Sequence, residues 1–200
     1  MVKFDIIKKS YSYDEYKSLI SEYAETMTAS GPEQSTERIE ATKLNAQRMK
    51  RIDKQVELSN EIKEIITNIG QKWTWIILSE SWCGDGAQNI PVIAKIAALS
   101  ANIKLKIIFR DENPEIMDAF LTNGSRSVPK LICINSENKV IVGIWGPRPA
   151  MIQQMVKEYK AQYPDNSHAE FVKNLHLWYA KDKGESLQKD FEILFRQWVV

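Results

Sequence analysis

Residues 73–78 read Trp-Thr-Trp-Ile-Ile-Leu, apolar at every position but one. A strand of that composition has no solvated face, so it must run inside a sheet covered on both sides. The flanking sequence supplies the cover. Residues 86–101 pattern as a helix, with Pro91 expected to bend it. Residues 103–109, "IKLKIIF", pattern as a second strand. Residues 113–124 pattern as a second helix, with Pro114 near its start and Gly124 at its end. Two further strands, 130–135 and 140–145, surround the short turn "SENK", which allows them to pair antiparallel. The order β-α-β-α-β-β predicts an α/β fold with a central mixed β-sheet flanked by helices.

Helical sequence lies on either side. Residues 12–27 carry apolar and aromatic residues at helical spacing until Gly31 and Pro32 interrupt. From residue 37 to Gly70 one long helix is expected, with Ile52, Val56, Ile62, Ile66 and Ile69 as its apolar stripe and Gly70 as its C-terminal cap. After residue 148 come a helix ending at Pro164, a second opened by a Ser167/Glu170 capping box and ending near Gly184, and a third. The third shows Leu187, Phe191, Leu194, Phe195 and Trp198 on one face. Trp178 and Tyr179 are read with them as packing residues. The expected organisation is an N-terminal helical extension (1–70), a core domain (71–162) and a C-terminal helical extension (163–200) packed on the core.

Composition narrows the chemistry. The 27 Lys and Arg against 26 Asp and Glu give a net charge of +1, which points to neither nucleic acid nor membrane as partner. Two cysteines, Cys83 and Cys133, are too few for a disulfide scaffold or a four-cysteine zinc site. His168 and His176 have no cysteine or carboxylate cluster around them and read as surface or packing residues, so no metal is expected. The N-terminus lacks a signal-peptide pattern and no apolar run reaches membrane-spanning length, so a cytoplasmic location is expected.

Cys83 follows the first strand and opens the next helix, in "SESWCGDGAQNIP" (79–91). Unpaired N–H groups and the helix dipole favour negative charge there, and the thiolate is the reactive form of cysteine. Trp82 is expected to shield one side of the sulfur, and Gly84 to let another backbone approach. Asp85 complements the dipole but opposes a neighbouring thiolate. Ser79 and Glu80 close the strand; Glu80 reads as a surface carboxylate rather than a proton carrier. Cys133, within "LICIN", reads as a small core hydrophobe.

"WCGDG" resembles the Trp-Cys-Gly-Pro-Cys motif of the thioredoxin family, and two downstream segments match in order. "RSVPK" (126–130) is similar to the loop before the third core strand, and "RDENP" (110–114) to the acidic turn. The resemblance covers roughly residues 71–160 and implies a thioredoxin-like fold. It also implies a cis peptide at Pro129 lying against Cys83, with Val128 offering its backbone to a substrate and Ser127 beside it. The departures are informative. Gly86 replaces the second cysteine, and Ile77 and Ile107 stand where the family has a buried aspartate and its lysine partner.

The resemblance therefore implies a monothiol thiol–disulfide oxidoreductase. Cys83 is its nucleophile, and Trp82, Gly84, Asp85, Gly86, Arg126, Ser127, Val128 and Pro129 form the substrate-binding surface. Arg126 is expected either to face the sulfur or an anionic group, or to be solvated. No bound cofactor is expected; a low-molecular-weight thiol such as glutathione or bacillithiol would release the mixed disulfide as co-substrate, and iron–sulfur binding through Cys83 is the lesser alternative. Partners would be a thiol- or disulfide-bearing protein or a small thiol, with a homodimer open. Two other readings stay open, a redox-inactive peptide-binding module and a cysteine redox sensor.

Overall fold

The computed structural model describes residues 4–163 and 168–199. In it the apolar run becomes strand β1 (Trp73–Ser79). β1 pairs in parallel with β2 (Ile103–Phe109), from Trp73 opposite Ile103 to Ser79 opposite Phe109. On its other edge it pairs antiparallel with β3 (Lys130–Asn135), which pairs antiparallel with β4 (Ile141–Trp145). The sheet order is β2-β1-β3-β4. The helices are α1 (Tyr13–Glu25), α2 (Thr36–Gln55), α3 (Asn60–Thr67), α4 (Gly84–Ala97), α5 (Pro114–Ala119), α6 (Ala150–Gln162), α7 (His168–Asp182) and α8 (Glu185–Trp198). This is an α/β thioredoxin-like fold with N- and C-terminal helices added.

Side chains alternate across β1, as a strand requires. Trp73, Trp75 and Ile77 enter the larger apolar cluster, with residues from α1, α2, α3, α4 and α8. Ile76 and Leu78 enter a smaller cluster on the opposite face, with Ile116 and Met117 of α5. Helix α8 covers the sheet with aromatics: Phe195 stacks on Trp75 at a centroid distance of 5.9 Å, and Trp198 meets Trp73 edge-on at 6.0 Å. Trp198 lies so close over Gly143 of β4 that a Cβ there would overlap the indole. A third cluster joins α6 to α7 through Ile152, Val156, Phe171, Leu175 and Tyr179. α7 thus has an apolar seat on α6, apart from the main core.

The single helix expected from 37 to 70 is instead two, α2 and α3, separated at Val56–Ser59. A break frees backbone groups that need partners. Lys95 of α4 donates its ammonium to the carbonyls of Asp53 (2.9 Å) and Val56 (2.6 Å). Gln188 of α8 accepts the Ser59 N–H at 2.8 Å and donates to the Glu57 carbonyl at 3.2 Å. Ser59 then caps α3 by accepting from the Ile62 N–H. The cap expected of Gly70 does not form, because α3 ends at Thr67 with Asn68 as its C-cap. Helix α5 likewise stops at Ala119 rather than at Gly124. The Ser167 capping box lies outside the described residues.

Candidate active site

β1 ends at Ser79, and a short turn delivers Cys83 as the N-cap of α4. Its Sγ accepts the Gly86 N–H at 3.2 Å, and the thiol donates to the Val128 carbonyl at 3.2 Å. The Val128–Pro129 peptide is cis. Cys83, Gly86, Val128 and Pro129 are thus gathered at one point.

The turn is braced from beneath. Ser81 and Ser30 bond reciprocally: the Ser30 N–H donates to Ser81 Oγ, and the Ser81 N–H to Ser30 Oγ, both at 2.8 Å. Asn45 of α2 donates to the Ser81 carbonyl at 2.8 Å, and Thr42 Oγ1 lies 2.9 Å from Ser81 Oγ. Glu80 is not the surface carboxylate its residue type suggests. It is 1% exposed, accepting from the Ser30 hydroxyl and, at 2.8 Å, from the Asp111 N–H. Burial pushes its carboxyl above the ordinary range. Buried polar groups persist only with such partners; here the network ties the Cys83 turn to α2 and to the β2–α5 loop.

The thiol is closed in, with Cys83 only 7% exposed. Burial first, and the charge of Asp85 second, push its pKa up to about 12, against the Gly86 N–H and Arg148, which favour the thiolate. Asp85 is 8% exposed; its carboxylate pairs with Arg148 at 2.7 Å and accepts from the Tyr179 hydroxyl at 2.9 Å. Burial raises the Asp85 carboxyl, with Arg148 pulling it back. Tyr179 also accepts from Asn89 Nδ2 at 3.2 Å. What comes close at Gly84 is the His176 side chain of α7 rather than another backbone: a Cβ at Gly84 would lie 2.7 Å from the imidazole. Trp82 packs against the cluster that contains Cys83, with the guanidinium groups of Arg38 (4.3 Å) and Arg110 (4.9 Å) against its ring.

Arg126 does not reach this group; it is exposed and forms a bidentate pair with Asp118. The arginine at the site is Arg148, from the Gly146–Arg148 turn after β4, where a second cis peptide precedes Pro147. The "GPRP" stretch was its one sequence signal. Tyr179 and His176 gave none beyond the amphipathic spacing of α7. Cys133 pairs in register with Trp75 and lies in the cluster on the face opposite that of Cys83.

A mixed sheet in this order, with a cysteine capping the helix after its central strand and a cis-proline peptide against the thiol, defines a thioredoxin-fold protein with one cysteine in its motif. The thioredoxin family model matches residues 31–160, and the chain belongs to that family. A crystal structure of a protein of unknown function from Pseudomonas aeruginosa is 16% identical, with a TM-score of 0.59, over 93% of this chain and 98% of that one. An HIV epitope-scaffold is also 16% identical, with a TM-score of 0.56, over 93% and 98% of the two chains. Both share the fold. No curated protein matches the chain.

Proposed function

We propose that the protein is a monothiol thiol–disulfide exchange protein that rests with its thiol closed. The observation carrying this reading is the seat of Cys83 Sγ, at a helix start with the Gly86 N–H aimed at it and the Val128 carbonyl opposite. An N–H donor at that place stabilises a thiolate once burial is relieved. When α7 and Arg148 withdraw, Cys83 attacks one sulfur of a disulfide, forming a Cys83 mixed disulfide while the other sulfur leaves as a thiolate that takes up the proton Cys83 has lost. An external low-molecular-weight thiol then attacks the mixed disulfide. Attack at the substrate-derived sulfur releases Cys83 as the thiol and joins that sulfur to the small thiol in a new disulfide, so one disulfide is exchanged for another. Where the substrate is a mixed disulfide of the same small thiol, the product is that thiol's own disulfide.

The high thiol pKa in the closed state favours a second reading, a redox-inactive binding module in which Cys83 only bridges α4 to the proline loop. Reduction of a glutathione mixed disulfide by wild type and by Cys83→Ser separates the two. Turnover lost in Cys83→Ser supports exchange. Equal, background rates in both proteins reject exchange and leave the binding module.

A further inference from the structure

Helices α2 and α7 face each other across a cleft of about 450 Å³. Arg48 and Arg51 line it from α2, Lys173 and His176 from α7, and Gln88 from α4. Gln88 joins the two walls. Its carbonyl oxygen accepts from Arg51 at 3.3 Å, and its amide nitrogen lies 3.2 Å from His176 Nδ1. An amide nitrogen only donates, so Nδ1 is the acceptor and the ring proton sits on Nε2. Arg48 donates to Asn45 Oδ1 at 2.8 Å and also lies beside Gly84, next to Cys83.

The described lining of the cleft carries positive charge. Among the described residues, no aspartate or glutamate lines it. Nor do Arg48, Arg51 and Lys173 form an ion pair with any described residue. The nearby carboxylate, Asp85, is engaged by Arg148 and Tyr179. Burial, and then the charge of Arg51, hold the Arg48 guanidinium below its usual value. Burial, then Arg48, Arg51 and Arg148, depress His176 to about 4, so its imidazole is neutral at neutral pH. Two guanidinium forks, an ammonium and an imidazole N–H suit an oxyanion, which guanidinium binds through paired charge-assisted hydrogen bonds.

We propose that this cleft binds the phosphate or carboxylate group of a small anionic molecule, between Arg48 and Arg51 on α2 and Lys173 and His176 on α7. Because the two walls belong to different helices, the bound anion clamps α7 over Cys83. The site depends on α7 lying against the first turn of α4, at Gly84 and Asp85 beside Cys83, and not on redox chemistry at the thiol.

The test titrates the full chain at low ionic strength with inorganic phosphate and, separately, with succinate, by calorimetry. Iodoacetamide labelling of Cys83 is followed in parallel by mass spectrometry. Saturable binding is expected, weakened about tenfold in Arg51→Gln and about threefold in the exposed Lys173→Gln. Tighter binding of phosphate or of succinate tells which oxyanion the cleft prefers. Anion at about three times the wild-type Kd should slow Cys83 labelling severalfold in wild type and much less in Arg51→Gln. Cys83→Ser should still bind, which separates this site from the fate of the exchange activity. Failure of both anions to bind, or equal binding in wild type and both cleft variants, overturns the site. Binding without slowed labelling overturns the clamp.

Discussion

The Tyr179 hydroxyl donates to Asp85 at 2.9 Å, so α7 is pinned to the first turn of the helix that Cys83 caps. The apolar seat of α7 lies on α6, which makes this polar latch a principal tie between α7 and the thiol. Tyr179→Phe removes a hydrogen bond to a charged group and should cost about 1.5–3 kcal/mol of closure. Cys83 alkylation at fixed pH should then accelerate by about tenfold or more. An unchanged rate in a folded variant would show that α7 does not gate the sulfur.

The raised thiol pKa makes an alkaline prediction. Cys83 titrates at about 12 in the folded protein against an ordinary 9.0, and Cys133, raised by burial, does likewise. Between those pH values the unfolded chain has released a proton that the folded chain keeps. Each thiol's contribution is therefore full below pH 9 and declines as pH rises toward 12, by about 1.4 kcal/mol per pH unit. Denaturant melts from pH 8 to 11 should show a shallower decline for Cys83→Ser than for wild type. Asp85→Asn should lower the Cys83 pKa, read from the pH profile of alkylation.

Restoring a second thiol at position 86 is sterically specific. A Cβ there would sit 3.5 Å from Cys83 Cβ, at the short edge of disulfide geometry, but 2.5 Å from Ser79 Oγ. Gly86→Cys alone should be destabilised by the Ser79 hydroxyl. Gly86→Cys combined with Ser79→Ala should fold, form a disulfide between Cys83 and the introduced thiol on oxidation, and reduce insulin, which wild type should reduce only weakly. If the double variant forms no disulfide, position 86 is not the resolving position.

Gln188 holds open the break between α2 and α3. Gln188→Leu keeps the volume but strands the Ser59 N–H and the Glu57 carbonyl. The expected loss is about 1–3 kcal/mol per unsatisfied group, measured by urea denaturation. A variant as stable as wild type would mean that these groups find other partners.

What could be read from the sequence followed from local rules. The run at 73–78 needed cover on both faces, and the strand–cysteine–helix order placed Cys83 at a helix start. Most of the misreadings depended on a partner far along the chain. The apolar spacing of Val56 and Ile62 continues across the break between α2 and α3, and the groups that satisfy that break, Lys95 and Gln188, lie 39 and 129 residues away. Glu80 carries a surface residue type, but its hydroxyl donor is Ser30, 50 residues earlier. Arg126 and Arg148 both stand in proline-bearing loops, and only the folded path shows that the second one meets Asp85 while the first turns to Asp118. Tyr179 reads as packing because amphipathic spacing reports its ring and is silent about its hydroxyl.

The placement of the two sulfurs has a wider meaning. Val128 touches Cys83, whereas Cys133 sits three residues into β3 beyond Lys130, about 10 Å further along the strand and on the other side of the sheet. The folded monomer has no internal cysteine–cysteine route, so it cannot close an intramolecular disulfide. Whatever partner sulfur it meets must come from another molecule, and any disulfide-linked form of it would be a conjugate.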